Sequence, residues 1–205
     1  LLSHDVKLIC VACNTVSSLA LPVIRHHFKV PIVGVLTPAV REAVYATQNK
    51  RIGVIGTHGT IKSRAYENEI KQLDPSVKVF AQACPLFVPF VEEGWTSGKV
   101  VEEVARTYLQ PLRDNRVDTL ILGCTHYPVL KDVIRRAMGP RVVLIDSAKQ
   151  VAIEVKKILA SESLIGKPRR GRHRFFVSDN PQWFTGLASR FLGRRIDDAR
   201  RVGHV

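Results

Sequence analysis

The sequence predicts an α/β fold of two similar domains, each with a mainly parallel sheet flanked by helices. Short apolar segments rich in Val and Ile alternate with segments of helical periodicity along the 205 residues. This alternation is typical of parallel sheets covered by helices on both faces. In addition, two of the apolar segments end in a cysteine followed by small polar residues. We therefore expect two related halves that face one another, with the active site in the cleft between them.

The individual elements follow from apolar runs, capping residues and prolines. For example, Thr37 can cap a helix in which Pro38 occupies the first position, where a missing amide hydrogen costs nothing. The predicted strands are 6–12, 30–35, 51–56, 77–83, 120–123, 142–145 and 174–177. The predicted helices are 19–28, 38–47, 64–73, 98–112, 129–138, 147–160 and 181–192, and 161–172 is a predicted loop.

The predicted domains are not both continuous in sequence. We expect residues 1–36 together with 150–205 to form the first domain, which lacks its N-terminal portion, and residues 37–149 to form the second. The chain has no initiator methionine and no signal-peptide pattern, and a strand begins almost at once. We therefore expect the true beginning of the protein to precede Leu1.

Composition indicates a globular cytoplasmic protein. Apolar residues make up 45% and charged residues 24% of the chain, which is ordinary for a globular domain. No apolar run reaches the roughly 18 residues that a transmembrane helix needs. Four cysteines are too few for a disulfide-rich secreted scaffold of this length, so we expect reduced thiols.

The net charge of +13 permits a basic nucleic-acid-binding protein as an alternative of a different class. Much of this charge lies near the C-terminus, in Lys167-Pro-Arg-Arg-Gly-Arg-His-Arg174 and in the arginines that follow. Aromatic residues are only 7% of the chain and are not interleaved with the basic runs, so stacking platforms for bases are not indicated. We favour a solvated basic face, and we expect neither a nucleic-acid nor a membrane partner.

The chemistry is concentrated at two strand-to-helix turns. One turn is Leu120-Ile-Leu-Gly-Cys-Thr-His-Tyr-Pro128, which presents Cys124, Thr125 and His126; the other presents Cys13, Asn14 and Thr15. A helix dipole favours the thiolate of a cysteine at its N-terminus, and both cysteines precede predicted helices. Cys10 and Cys84 lie within or at the end of apolar strands, and we interpret them as small core residues.

Three chemistries are compatible with these residues. Cys10, Cys13, Cys124 and His126 could ligate zinc, but residues three apart on a strand point to opposite faces. Cys124 with His126 could form a nucleophile for acyl transfer. Alternatively, Cys13 and Cys124 could act on opposite faces of one carbon, one as a thiolate that removes a proton and the other as a thiol that donates one.

A glycine-containing segment, Thr57-His-Gly-Thr-Ile-Lys-Ser63, follows the strand at 51–56. Amides and hydroxyls at the start of a helix bind anions. The Walker spacing of a nucleotide-binding loop is absent, so a small carboxylate or phosphate is the better expectation.

Four ordered motifs resemble the glutamate racemase family, within the cofactor-independent aspartate/glutamate racemase superfamily. Two of them are its signatures, Cys13-Asn14-Thr15 and Leu122-Gly-Cys-Thr-His-Tyr-Pro128. The other two resemble internal segments, Ile55-Gly-Thr-His-Gly-Thr-Ile61 and Pro85-Leu-Phe-Val-Pro-Phe-Val-Glu-Glu93. The similarity extends from Leu8 to about Phe191.

The resemblance implies a cytoplasmic enzyme that supplies D-glutamate for peptidoglycan, without a cofactor or metal. It implies that Cys13 and Cys124 are the catalytic acid/bases and that His126 assists Cys124. It also implies an acidic residue near Cys124, which is Glu92, with Glu93 as the adjacent alternative. The implied substrate-binding residues are Asn14, Thr15, Thr125, His126, Thr57 and Thr60.

The sequence departs from the family in one respect. The family has an Asp-Ser-Gly-type loop and a Pro-Tyr-Gly turn that bind substrate, and neither is present here. We therefore expect a polypeptide of these 205 residues alone to be inactive or nearly so. Aspartate racemase or another isomerase of the superfamily is the near alternative, and a homodimer is compatible with the resemblance.

Overall fold

The computed structural model describes residues 1–166, 171, 173–196 and 198–203. The chain divides into two compact units, a larger one at Leu1–Ile165 and a smaller one at Gly166–Val205. Every strand pairing among the described residues is parallel, and helices connect the strands. The predicted α/β class with parallel sheets flanked by helices is confirmed. The grouping of residues 1–36 with 150–205 stays a prediction.

The larger unit contains two sheets and their connecting helices. Its strands are β1 Ile9–Val11, β2 Ile32–Gly34, β3 Arg51–Gly56, β4 Lys78–Ala83, β5 Thr119–Gly123 and β6 Val143–Ile145. Its α-helices are α1 Asn14–Leu19, α2 Leu21–His27, α3 Leu36–Ala46, α4 His58–Lys62, α5 Ala65–Leu73, α6 Phe87–Glu92, α7 Lys99–Asp114, α8 Lys131–Met138 and α9 Ser147–Ser161. Short 3-10 helices occupy Leu2–His4 and Tyr127–Leu130.

The order of the strands explains where a site can form. The main sheet runs β4-β3-β5-β6, and β1 pairs with β2 in a separate sheet. After β3 the chain moves to one side to make β4, whereas β5 and β6 lie on the other side of β3. The loops that leave β3 and β5 therefore diverge, and a ligand-binding crevice is expected at such a switch point.

The main sheet is covered by apolar residues on both faces. Along β5, Leu120 and Leu122 pack in one cluster with Phe87, whereas Ile121 packs in the other with Val40. Successive strand residues point to opposite faces, so a continuous apolar run is what a doubly covered strand requires. This confirms the prediction of a buried central strand.

Two glycines allow β3 and β5 to approach closely where they end. Gly56 and Gly123 are paired in register. A Cβ atom on Gly123 would lie 2.6 Å from the backbone oxygen of Ile55, which is closer than any carbon can approach. Glycine at position 123 is therefore required by packing, directly before Cys124.

Several helix boundaries differ from the predicted ones. The predicted helix 19–28 corresponds to α2, whereas α1, which begins immediately after Cys13, was not predicted. Pro22 lies in the first turn of α2, where its missing amide hydrogen is tolerated, and so it favours a new helix over continuation of α1. The segment after β3 already contains the short helix α4, and α8 begins at Lys131 after a 3-10 turn.

The smaller unit pairs β7 Phe175–Val177 with β8 Ala199–Arg201, and α10 Pro181–Leu192 lies between them in sequence. Asn180 caps α10, because its Oδ1 accepts hydrogen bonds from the amides of Gln182 and Trp183. The predicted strand and last helix are confirmed, whereas β8 was not predicted. The predicted loop at 161–172 lies partly outside the described residues.

Within the described ranges, no helix combines the length and the apolar character that crossing a membrane requires.

The partly buried carboxylate of Asp118 links the end of α3 to the main sheet. Asp118 accepts hydrogen bonds from Thr47 Oγ1 at 2.7 Å and from the amides of Gln48 and Asn49 at 2.8 and 2.7 Å. Partial burial raises the pKa of Asp118, but these hydrogen bonds outweigh it and hold the pKa below its ordinary value.

Replacing Asp118 with asparagine is expected to lower the free energy of unfolding by about 1–3 kcal/mol at pH 7, because charge-assisted hydrogen bonds are lost. A carboxyl whose pKa is depressed by folding stabilises above its unfolded pKa of about 3.9, and this contribution is lost as pH falls through the folded value. The difference between Asp118→Asn and the unmodified protein should therefore shrink as pH falls below about 4, as measured by urea unfolding. Asp114→Asn, at an exposed neighbouring carboxylate, is the matched control.

Candidate active site

The turn after β5 presents a buried thiol. Cys124 is 7% exposed and follows Gly123 directly. Tyr127 anchors the turn, because its hydroxyl donates to the backbone oxygen of Cys84 at 2.9 Å. Burial raises the pKa of the Tyr127 phenol, so the phenol keeps the proton that it donates.

A thiol, an imidazole and a carboxylate are linked by successive side-chain contacts at this turn. Cys124 Sγ lies 3.7 Å from Nδ1 of His126, and Nε2 of His126 lies 3.3 Å from Oε1 of Glu92. Glu92 is the last residue of α6, so this contact joins two separate segments. An ionised carboxylate only accepts hydrogen bonds, which favours the proton on Nε2 and leaves Nδ1 as an acceptor for the thiol.

The prediction that the helix dipole favours the Cys124 thiolate is wrong. Burial raises the pKa of Cys124 above its ordinary value, and the charges of Cys13 and Glu92 raise it further. Hydrogen bonds from the backbone amides of His126 and Tyr127 lower it, but they do not compensate. Burial is the main cause, and no α-helix starts at this turn to oppose it, because a 3-10 helix intervenes before α8.

The second turn presents Cys13 at the N-cap position of α1. Its side chain is exposed, whereas Asn14, the first residue of the helix, is only 2% exposed. Ser17 fixes the turn, because its hydroxyl donates to the backbone oxygen of Val11 at 2.9 Å. The start of α1 is therefore tied to the end of β1.

Three threonine hydroxyls from two segments meet beside this turn. Thr15 Oγ1 lies 2.9 Å from Thr57 Oγ1 and 3.1 Å from Thr60 Oγ1, and the latter two are 3.2 Å apart. Thr57 also caps α4 by accepting from the amide of Thr60. Because a hydroxyl proton can rotate, such a cluster can donate to a bound carboxylate.

The two cysteine turns lie close to each other within the larger unit. Helix α1 packs against α4 and α5. Cys13 is near enough to Cys124 to raise its pKa electrostatically. The side chain of Tyr66 on α5 adds a direct link, since its hydroxyl donates to Asn14 Oδ1 at 2.6 Å. The structure thus brings Cys13, Asn14, Thr15, Thr57, Thr60, Cys124, His126 and Glu92 into one region.

Two residues named from the sequence are exposed rather than enclosed in this region. Thr125 is exposed on its turn, and so is Glu93, the alternative to Glu92. Of the other two cysteines, Cys84 is fully buried, as predicted, and burial raises the pKa of its thiol. The prediction that Cys10 lies in the core is wrong, because its side chain on β1 is exposed.

Metal ligation has no support from side-chain positions. In the part of the chain that the structure describes, no three or more His, Cys, Asp or Glu side chains are grouped so that they could hold a metal ion. All four cysteines are free thiols.

Sequence reasoning missed Tyr66 and the close contact at Gly123. Tyr66 stands four residues before Ile70 on one face of α5, a spacing that indicates an ordinary core position. The only signal in the sequence was that a phenol in a core requires a hydrogen-bond partner.

A family model described as Asp/Glu/Hydantoin racemase matches residues 1–154. Among similar curated proteins, the glutamate racemase of Geobacter metallireducens is 48% identical over 203 residues, which cover 98% of this chain and 75% of that protein. The glutamate racemase of Corynebacterium diphtheriae is also 48% identical, over 202 residues that cover 98% of this chain and 76% of that protein.

Solved structures give the same relationship. Glutamate racemase from Bacillus anthracis matches with a TM-score of 0.92 and 37% identity, over 96% of this chain and 74% of that chain. Glutamate racemase from Francisella tularensis, in complex with D-glutamate, matches with a TM-score of 0.92 and 33% identity, over 98% and 75% of the two chains. Because the family model spans most of the sequence and these relatives align with almost all of it, the chain belongs to the Asp/Glu/hydantoin racemase family.

Proposed function

We propose that this protein is a glutamate racemase that interconverts L- and D-glutamate with two cysteines and supplies D-glutamate for peptidoglycan. The observation that carries the proposal is the approach of the two cysteine turns, since Tyr66 bonds to Asn14 beside Cys13 and its ring packs on Gly123 beside Cys124. The relatives that align with nearly the whole chain are glutamate racemases, and one of them was solved with D-glutamate bound.

The reaction needs two groups on opposite faces of the substrate Cα. In the D-to-L direction, the Cys13 thiolate takes the Cα proton, and the electron pair of the C–H bond remains on the substrate as a carbanion. The Cys124 thiol then donates its proton to the opposite face, which leaves Cys13 as a thiol and Cys124 as a thiolate. In the L-to-D direction the roles are exchanged. No cofactor or metal takes part in this cycle.

The neighbouring side chains have separate roles in this proposal. The hydroxyls of Thr15, Thr57 and Thr60 bind a substrate carboxylate, and Asn14 and Thr125 contact the substrate. His126 accepts from the Cys124 thiol through Nδ1 and thereby orients it. Glu92 holds the imidazole in the required tautomer through Nε2.

The protein expressed from its whole reading frame is expected to convert each pure enantiomer of glutamate to the racemate, which circular dichroism measures. Since the equilibrium constant of a racemisation is unity, kcat/KM must be equal for both enantiomers at every pH. Its pH profile should be bell-shaped, because one thiol has to be ionised and the other protonated. The raised pKa of Cys124 places the alkaline limb above about 8.5, the ordinary pKa of a cysteine.

Two outcomes would contradict this proposal. Faster racemisation of aspartate than of glutamate would assign the protein to the near alternative within its superfamily. An absence of racemisation, together with salt-sensitive binding to random duplex DNA, would favour the basic nucleic-acid-binding alternative.

The compartment and the assembly are further parts of the proposal. A mechanism that uses two free thiols requires a reducing environment, and all four cysteines are unpaired, so we place the protein in the cytoplasm. Sedimentation at several protein concentrations tests the homodimer that the family resemblance suggests.

A further inference from the structure

Tyr66 is a buried side chain that touches both cysteine turns. It belongs to α5 and is 3% exposed. Its hydroxyl donates to Oδ1 of Asn14 at 2.6 Å, and Asn14 is the residue directly after Cys13. This hydrogen bond joins residues that are 52 positions apart in the sequence.

The ring of Tyr66 meets the other turn. A Cβ atom on Gly123 would lie 3.3 Å from Cε2 of Tyr66, so the ring packs directly on the residue before Cys124. The same phenol therefore contacts the neighbour of each cysteine, with its ring on one side and its hydroxyl on the other.

The hydrogen bond also determines how the Asn14 amide is oriented. Because Oδ1 accepts from Tyr66, turning the amide over would remove this acceptor of the buried phenol proton. Its Nδ2 group is then left buried, with no hydrogen-bond partner among the described residues. A buried donor without a partner is costly, and an acceptor oxygen on a ligand would remove that cost.

The protonation state of Tyr66 supports this orientation. Burial raises the pKa of the phenol, and the negative charges of Glu69 and Cys124 raise it further. The phenol therefore keeps its proton throughout the pH range in which a thiolate mechanism operates.

We propose that Tyr66 is a positioning residue for racemisation: it fixes the side-chain amide of Asn14 so that Nδ2 is presented to a carboxylate oxygen of the amino-acid substrate. This inference rests on the proposed racemase function and names a residue that acts through Asn14, not on the reacting atoms.

Tyr66→Phe tests the role of the hydroxyl, since the ring and its contact with Gly123 remain. Without the hydroxyl the Asn14 amide can rotate, and its donor is no longer held in place. We expect KM to rise about three- to tenfold, equally for both enantiomers, which is the effect of one net hydrogen bond. The value of kcat should change less than about twofold, because an interaction made equally in the ground state and the transition state alters KM alone.

Two further variants separate positioning from loss of stability. Thr47→Val removes a buried hydroxyl outside the site, the one that donates to Asp118 at 2.7 Å, and should lower the melting temperature without raising KM. In an Asn14→Ala background, Tyr66→Phe should cause no further rise in KM, because the group that it positions is already absent.

The inference is overturned if Tyr66→Phe leaves KM unchanged, if Thr47→Val raises KM equally, or if the effects of Tyr66→Phe and Asn14→Ala multiply. If the unmodified protein does not racemise glutamate, the proposed function fails separately. The positioning role is then decided by NMR of the Asn14 side-chain amide, assigned by its loss in Asn14→Ala. A single well-dispersed pair of amide proton signals that collapses in Tyr66→Phe supports the role, and unchanged signals refute it.

Discussion

Replacement of Cys124 by alanine is expected to abolish racemisation in both directions while leaving slow exchange of the Cα proton of D-glutamate with solvent. The physical reason is that a proton removed from one face cannot be returned to the other without the second acid. Removal of a general acid or base typically costs about 10²–10⁴ in rate. Incubation in D₂O, followed by NMR of Cα deuteration and by chiral analysis, measures exchange and inversion separately.

Cys13→Ala should show the mirror-image behaviour, with exchange retained only for L-glutamate through Cys124. Cys10→Ala is the matched control, since it removes an exposed thiol that has no role in the proposed reaction. Normal racemisation by Cys13→Ala in both directions would exclude the two-base mechanism.

The same pair of variants also decides between racemisation and acyl transfer. A Cys124–His126 nucleophile would lose its activity in Cys124→Ala but would not depend on Cys13. Equal dependence on both thiols is therefore expected only for the two-base reaction.

Gly123→Ala is expected to lower the racemisation rate about 10²-fold, because a displacement of about 1 Å in a reacting group can cost that much. The added Cβ would lie 2.6 Å from the backbone oxygen of Ile55, so β3 and β5 must separate where Cys124 begins its turn. Overpacking of this kind should also lower the free energy of unfolding by about 1–3 kcal/mol. Rates per folded molecule and urea unfolding measure the two effects.

Gly53→Ala, in the interior of β3, is the matched control. Its added Cβ would meet Cδ1 of Leu120 at 2.9 Å and Cγ1 of Val117 at 3.0 Å, which are side-chain atoms and not backbone. This variant should be destabilised yet keep its rate per folded molecule. Equal rate losses in both glycine variants would show that general loosening, and not displacement of Cys124, reduces the activity.

The sequence by itself determined the fold class, the order of most elements and the two turns that carry the cysteines. These properties depend on local patterns: apolar runs for buried strands, prolines near helix starts, and a thiol, a hydroxyl and an imidazole side by side at Cys124, Thr125 and His126. Such patterns persist in the folded protein because covalent neighbours stay neighbours.

Only the tertiary structure decided which distant residues meet and what their surroundings do to them. The contact of Thr15 with Thr57 spans 42 positions and that of Asn14 with Tyr66 spans 52, so neither follows from local periodicity. The raised pKa of Cys124 likewise depends on burial by the folded chain, which outweighs the local amide hydrogen bonds. Strand order, close packing and desolvation arise from the whole fold. The sequence by itself therefore determined which residue types the two turns carry, whereas the fold determined the shape and charge of the site that they form.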